Sequence, residues 1–161
     1  MPKIVTNLWF DTEAEEAAKY YTSIFKNSRI LNTSYYGEGG RRPAGLVMTV
    51  TFVLDGQVYT ALNGGPEFKF TEAISLMVNC EGQEEVDELW EKLSEGGSEG
   101  PCGWLKDRYG LSWQIFPTEA GRLLSDPDPV KAQRVMQAML QMGKLDIAAL
   151  ERAREGSGEQ L

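Results

Sequence analysis

Apolar and polar residues alternate in two stretches of the chain, Lys3–Phe10 and Ala73–Asn79, and each stretch predicts a β-strand. In the second stretch the alternation places Ile74 on the buried face. Apolar residues at helical spacing follow both stretches. They predict one helix that ends near Phe25 and another over Gln83–Ser94. The order of strand and helix therefore occurs twice.

The start of the first helix has the sequence of a capping box. Thr12 would accept a hydrogen bond from a backbone N–H of the first turn, and Glu15 would reach back to the N–H of Thr12. Asn27-Ser28 ends this helix, and the glycine-rich segment Gly37–Pro43 predicts a mobile loop.

Further strand patterns follow each helix, and Asp55-Gly56 predicts a hairpin turn between two of them. The predicted strands are Arg29–Tyr36, Leu46–Leu54, Gln57–Asn63, Gly103–Lys106 and Leu111–Phe116. Apolar positions of the two helices correspond at a constant offset: Ala17 and Val86, like Tyr21 and Trp90, are 69 residues apart. A repeat of this length indicates two modules of one domain, not a solenoid.

We therefore predict a domain over residues 1–118, with one module in residues 1–66 and a second in 67–118, and a helical extension over 119–161. In the extension, Ser125–Pro129 begins a helix, Gly143 ends it, and Leu145–Arg154 forms a last short helix before a frayed end at 155–161. Three of the six methionines lie in Met136–Met142. Packing in the core or in a dimer is the preferred interpretation of this cluster, and a lid over a ligand is the alternative.

Composition narrows the function classes. The net charge of −8 disfavours nucleic acid and anionic membranes as partners. No apolar run is long enough to cross a bilayer, and the first residues lead into a strand instead of a signal peptide. The two cysteines, Cys80 and Cys102, are interpreted as reduced thiols of a cytoplasmic protein.

Histidine is absent from all 161 residues. This excludes a histidine metal ligand, a histidine general base and a nucleophile activated by histidine. Any chemistry must use carboxylates, lysine, tyrosine, cysteine or water.

Several segments resemble the vicinal oxygen chelate superfamily, which includes glyoxalases, bleomycin-resistance proteins and dioxygenases. The similarity is closest to its PhnB-like branch, often labelled as a 3-demethylubiquinone-9 3-methyltransferase domain. The segments are Leu8–Asp11, Ala61–Pro66, Cys102–Asp107, Tyr109–Gln114 and Leu124–Pro127. The resemblance implies an α+β fold in which two tandem βαβββ modules form a curved mixed sheet with an open cleft. It also implies a homodimer.

The resemblance further implies where a metal would lie, namely near Val5, Ala61 or Asn63, Ala73 and Gln114. Among these side chains Gln114 is the one plausible ligand, and a transition metal requires three or more. We therefore predict no metal and no cofactor. Since a β-rich segment follows the loop at residues 37–40, that loop does not predict a nucleotide or S-adenosylmethionine site either.

A set of aromatic and amide side chains is predicted to line the cleft. These candidate ligand-binding residues are Asn7, Trp9, Tyr59, Asn63, Ser75, Asn79, Trp104 and Gln114. Such a lining suits a small, partly aromatic or apolar molecule. The alternative is that the partner subunit or the C-terminal helices cover these residues.

Other candidate residues favour structural interpretations. Gly64 and Gly65 predict a crossover, with a binding loop as the alternative. Glu67 is interpreted as an exposed carboxylate, and Cys102 lacks a histidine that would activate it. The turn Lys106–Arg108 is interpreted as solvated, with contact to an anionic ligand as the alternative.

Three function classes remain open. The first is a metal-free protein that binds a small molecule, the second a metal-dependent lyase, isomerase or dioxygenase, and the third a scaffold dimer without a reaction. Metal analysis separates the second class from the others, and stabilisation by a ligand separates the first from the third. The sequence names no substrate.

Overall fold

The computed structural model describes residues 1–156, so most of the end that we predicted to be frayed lies outside the described residues. The chain divides into two compact units, Met1–Phe70 (unit 1) and Thr71 onward (unit 2), so the C-terminal helices belong to unit 2. Within residues 1–156, no helix has the length and apolar character needed to cross a membrane.

The two units contain strands and helices in the predicted order. Unit 1 consists of β1 (Thr6–Phe10), α1 (Ala14–Ile24), β2 (Arg29–Tyr35), β3 (Val47–Leu54) and β4 (Gln57–Asn63). Unit 2 begins with β5 (Ser75–Cys80), α2 (Gln83–Ser94), β6 (Ser98–Glu99), β7 (Trp104–Lys106) and β8 (Ser112–Pro117). It ends with α3 (Thr118–Leu124), α4 (Pro129–Leu140) and α5 (Ile147–Glu155). The short β6 and α3 were not predicted.

Each unit contains one four-stranded mixed sheet with the same topology. The strand order is β1-β4-β3-β2 in unit 1 and β5-β8-β7-β6 in unit 2. In both, the first strand lies at an edge and pairs in parallel with the last, and the other pairs are antiparallel. The predicted α+β fold with two repeated βαβββ modules is confirmed.

The core of unit 1 lies between α1 and one face of its sheet. Small residues of α1, such as Ala14 and Ala17, are fully buried, which lets the helix approach the strands closely. Tyr21 of α1 lies 6.2 Å from Phe52 of β3, measured between ring centroids. The buried positions of β1 and β3 alternate with less buried ones, as a sheet packed on one face requires.

The predicted capping box of α1 is wrong. The N-cap residue is Glu13, and its side chain makes no capping hydrogen bond. The Thr12 hydroxyl donates instead to the Glu13 carboxylate. The N–H of Ala14 donates to the side-chain oxygen of Asn63 at 2.8 Å. Asn63 lies 49 positions further along the chain. A non-local amide thus satisfies a donor that the sequence assigned to a local hydroxyl.

In unit 2, α2 buries four apolar side chains, Val86, Leu89, Trp90 and Leu93, as predicted. The sheet buries Leu105, Trp113 and Ile115. Ile74 was expected to face inward, but it precedes β5 and its side chain is 68% exposed. Because β5 begins at Ser75, directly after Ile74, the alternation of side chains along the strand does not fix the side on which Ile74 lies.

The helices α3, α4 and α5 form a second apolar cluster in unit 2. Its buried members are Ala120, Leu123, Val135, Met139, Leu145 and Leu150. Met139 belongs to this core, whereas Met136 and Leu140 are exposed. The segment before α5 is held against α2 by Gln83, whose amide donates to the Leu145 carbonyl at 2.9 Å and accepts from the Ile147 N–H at 2.8 Å.

Candidate functional site

In unit 1, Asn7 and Trp9 lie on the sheet face opposite α1, because the intervening Leu8 is buried on the α1 side. The indole N–H of Trp9 donates to the Gly65 carbonyl at 2.9 Å. A Cβ atom at Gly64 would lie 2.5 Å from the Trp9 ring. Gly64 therefore lets the indole lie directly on the backbone, and the choice between a crossover and a binding loop for Gly64 and Gly65 stays a prediction.

Tyr59 lies on the other face of the same sheet. It is the register partner of Phe52 in the β3–β4 ladder, and the two rings stack at 5.6 Å. Phe52 packs on α1, so Tyr59 belongs to the core side, and partial burial raises the pKa of its hydroxyl. The expectation that Tyr59 shares a face with Asn7 and Trp9 is wrong.

Asn63 also lies on the α1 side, with 1% of its surface exposed. Its side-chain oxygen accepts from the Ala14 N–H, and its amide nitrogen donates to the Val47 carbonyl at 3.0 Å. Asn63 therefore connects β4, β3 and the start of α1. Its placement beside Asn7 and Trp9 is likewise wrong.

In unit 2, four predicted residues do share one face of the sheet, opposite α2. Trp104 and Gln114 are register partners, and the Gln114 amide donates to the Ser75 hydroxyl at 2.9 Å. Asn79 lies four positions after Ser75 on β5 and is exposed. The alternation of side chains along β5, β7 and β8 places them together.

A cavity of about 600 Å³ opens at one end of this face. Most of its exposed lining surface is apolar. The lining residues are Glu72, Ser98, Gly100, Pro101, Trp104, Leu105, Lys106 and Ser112. Ligand pockets in proteins have about this size and character.

One polar group of the lining is unusual. Ser112 is 1% exposed, and its hydroxyl has no hydrogen-bond partner among the described residues. Leaving a buried hydroxyl unpaired costs about 1–3 kcal/mol, so such groups are rare in folded proteins. Ser112 is the register partner of both Ser75 and Lys106, so it lies in the middle of a polar row across three strands.

At the rim of the cavity, the Lys106 ammonium lies 2.8 Å from a carboxylate oxygen of Glu72. The hydrogen bond from Lys106 holds the pKa of the Glu72 carboxyl below its ordinary value. Of the residues that line the cavity, these two carry a charge.

The turn Lys106–Arg108 was expected to be solvated, which is correct for the exposed Arg108 but wrong for Asp107. Asp107 is 2% exposed, and its carboxylate accepts hydrogen bonds from the Tyr109 and Leu111 backbone N–H groups and from the Trp113 indole. The Asp107 carboxylate takes the place of water as the acceptor for these donors, because the turn folds over its side chain. Asp107 is thus a structural residue that anchors β7 to β8.

Two further candidates have environments that do not favour catalysis. Glu67 is exposed and lies 3.9 Å from Arg41 in an ion pair. Cys102 is a free thiol, and burial raises the pKa of its side chain, which lowers its reactivity. Cys80 is also a free thiol.

The positions at which related folds bind a metal do not fit a metal here. Val5, Ala61 and Ala73 have no donor atom in their side chains, and the Asn63 oxygen accepts from a backbone N–H of α1. Gln114 alone offers one amide oxygen, whereas transition-metal sites use three or more ligands. Within residues 1–156, no three His, Cys, Asp or Glu side chains come together as a possible metal site.

The sequence identified Trp104 as a cleft residue but missed Ser112 and Glu72. Strand alternation could have found Ser112, which lies two positions before Gln114 and therefore on the same face. Its burial without a partner, and the contact between Lys106 and Glu72, depend on how the loops close around the cavity. No local sequence signal indicates either.

Comparison with known proteins agrees with this architecture. A family model described as 3-demethylubiquinone-9 3-methyltransferase matches residues 2–116. A PhnB protein from Bacillus cereus with that same family name is 39% identical, with 72% of this chain and 99% of that chain covered and a TM-score of 0.65. No curated protein matches the chain.

Two more distant structures share the fold alone. Protein PA1353 from Pseudomonas aeruginosa is 21% identical, with 73% of this chain and 98% of that chain covered and a TM-score of 0.60. The fosfomycin resistance protein FosX from Listeria monocytogenes is 15% identical, with 73% and 93% covered and a TM-score of 0.50.

The family name describes a methyltransferase, but the glycine-rich segment at residues 37–40 leads through a short loop into β3 and not into the helix that follows a nucleotide- or S-adenosylmethionine-binding glycine loop. The extension α3–α5 lies beyond the last residue of the family match. The match, the identity to the Bacillus cereus protein and the repeated βαβββ topology show that this chain belongs to the PhnB-like, 3-demethylubiquinone-9 3-methyltransferase family of the vicinal oxygen chelate fold.

Proposed function

We propose that this protein binds a small, partly aromatic or apolar molecule in the cavity of unit 2 without a metal. The observation that carries the proposal is the unpaired, buried hydroxyl of Ser112 in a largely apolar cavity of about 600 Å³. A ligand with one polar group would pair this hydroxyl, and its apolar part would cover Trp104.

The cavity wall is built in a way that supports a binding role. Gly100 donates its N–H to the Trp104 carbonyl at 2.8 Å, and a Cβ atom at Gly100 would lie 2.9 Å from the same oxygen. The neighbouring Cys102 N–H donates to the Met142 carbonyl at 2.7 Å. The segment after α4 therefore braces the loop that forms one wall, so a ligand would meet a preformed surface.

Binding is tested by titration calorimetry with two neutral aromatic probes, indole and cinnamamide, in the presence of a chelator. We expect saturable binding that Trp104→Ala removes. Trp9→Phe in unit 1 is the matched control and should bind the probes like the unchanged protein, since Trp9 does not line the cavity. Absence of binding by both probes would contradict the proposal.

The hydroxyl itself is tested by a pair of serine variants that differ in hydrogen bonding. Ser112→Ala should stabilise the ligand-free protein by about 1 kcal/mol, because it removes an unpaired buried hydroxyl, and should weaken binding of cinnamamide. Ser75→Ala removes a hydroxyl that accepts from Gln114, so it should not stabilise the protein. Chemical unfolding and calorimetry measure the two effects. If Ser112→Ala destabilises the free protein, the hydroxyl has a structural role instead.

The other function classes have different signatures in the same experiments. A metal-dependent lyase, isomerase or dioxygenase would contain about one metal per chain when purified without chelator, and a divalent cation would raise its melting temperature. A scaffold without a ligand would bind none of the probes. The donors at the expected metal positions favour neither a metal nor a step that depends on one.

A further inference from the structure

The ion pair between Glu72 and Lys106 lies at the rim of the cavity, where both side chains are exposed to solvent. The side chains of Glu72 and Lys106 are 63% and 40% exposed, and ion pairs exposed to this degree contribute little to stability because water screens them. Both residues line the cavity. Glu72 can therefore leave Lys106 at a small cost in free energy, and the ammonium would then face the cavity without a counter-charge.

Lys106 and Ser112 are register partners in the antiparallel β7–β8 ladder. Side chains of directly opposite residues have Cβ atoms about 4.5–5.5 Å apart, so one small group can contact both. A carboxylate has two oxygens and suits this pair, since one oxygen can accept from the ammonium and the other from the Ser112 hydroxyl. The contact with Glu72 shows that the Lys106 ammonium accommodates a carboxylate at 2.8 Å.

We propose that the ligand of the cavity is an aromatic or apolar carboxylate, which displaces Glu72 from Lys106, pairs the Ser112 hydroxyl and lays its apolar part on Trp104. This inference rests on the proposed function and deepens it by naming the ligand class. Glu72 is then an internal competitor that occupies the anion position when no ligand is bound.

Because the chain as a whole is negatively charged, the preference for a carboxylate ligand must come from the local contact with Lys106. At a net charge of −8, the protein as a whole repels anions. This long-range repulsion is screened beyond about 8–10 Å at moderate ionic strength, whereas the contact between Lys106 and a bound carboxylate is not. A neutral ligand of the same shape would leave Glu72 in place and lack the contact with the ammonium.

The inference is tested by calorimetry at neutral pH with cinnamate and cinnamamide, which differ in their polar head. The unchanged protein should bind cinnamate more tightly than cinnamamide. Glu72→Gln should strengthen binding of cinnamate by about two- to five-fold, because the competing carboxylate is removed, and leave binding of cinnamamide unchanged. Lys106→Gln should abolish the preference for cinnamate.

The matched control is Glu95→Gln, which removes the exposed carboxylate of another ion pair in unit 2, 3.2 Å from Arg108 and outside the cavity lining. It should leave both affinities unchanged. Equal affinities for the two probes, together with no effect of Glu72→Gln, would overturn the carboxylate inference and leave the proposed function standing. Failure of cinnamate, cinnamamide and indole to bind would overturn the inference and the proposed function together.

Discussion

At the scale of single residues, the buried polar side chains that make several hydrogen bonds have structural roles. Asp107 receives three hydrogen bonds in a turn that was expected to be solvated. Asn63 caps a helix from a distant strand. Ser112 is the exception, because it is buried at a cavity and its hydroxyl has no hydrogen-bond partner in the described part of the chain. This contrast directs attention to Ser112 as a residue that a ligand would complete.

Replacing Asp107 with Asn should destabilise the protein by about 1–3 kcal/mol. Depending on how the amide lies, its NH₂ group faces either the Trp113 indole N–H or the two backbone N–H groups of the turn, and one accepting oxygen is lost. Urea unfolding measures the change. Asp55→Asn, at the exposed β3–β4 turn, is the control and should have a small effect, since Asn also tolerates the positive φ of that position. Equal effects would contradict the anchoring role of Asp107.

Cys80 should make stability depend on pH in the alkaline range. Burial, together with the nearby charge of Glu85, raises the pKa of its thiol from 9.0 to about 12. Above the unfolded value the unfolded chain loses the thiol proton while the folded chain keeps it, so stability falls as pH rises.

We therefore expect the free energy of unfolding of the unchanged protein to fall, relative to that of Cys80→Ala, as the pH rises from about 8 to about 11. Urea unfolding across this range measures the difference. Cys102→Ala, which removes a partly exposed thiol, should show a weaker dependence. A difference for Cys80→Ala that stays constant with pH would show that the thiol titrates normally in the folded protein.

At the scale of elements, local patterns predicted most of the bounds to within one or two residues. The bounds of β4 and α2 are as predicted, and the Asp55-Gly56 turn has positive φ at both residues, of 46° and 85°, as its hairpin type requires. The two missed elements are short. β6 has two residues, and it forms only because β7 offers it a partner in the sheet.

The start of α1 provides a test of long-range capping. Asn63→Ala should destabilise the protein by about 1–3 kcal/mol, because it leaves the Ala14 N–H and the Val47 carbonyl without their present partners. Chemical unfolding followed by circular dichroism measures the loss. Asn32→Ala on the exposed part of β2 is the matched control. A loss no larger than that of the control would mean that water replaces the Asn63 side chain.

At the scale of the whole molecule, the repeated topology and the family membership are shown, and the homodimer implied by the family resemblance stays a prediction. Exposed apolar residues on α4, at Val130, Met136 and Leu140, are compatible with a surface that is covered in solution.

We expect sedimentation velocity to yield a mass near twice the 17.9 kDa of the chain. A protein that exposes several large apolar side chains lowers its free energy when a second copy covers them. Charged substitutions at both Met136 and Leu140 test whether α4 takes part, since these residues are exposed and outside the apolar cluster of unit 2. A mass equal to one chain at micromolar concentration would contradict the dimer.

The sequence by itself determined the repeat, the order of its strands and helices, the fold class and the exclusion of histidine chemistry. These features follow from periodicity and composition, which depend on residues close together in the chain. The tertiary structure decided which face Tyr59 and Asn63 occupy, that Asp107 is buried, and that Ser112 is left unpaired beside Lys106 and Glu72. Strand alternation places neighbouring residues relative to one another, but the packing of a distant helix decides which face is the core. Hydrogen-bond partners from other strands and loops then decide which polar groups are satisfied, and no local pattern contains that information.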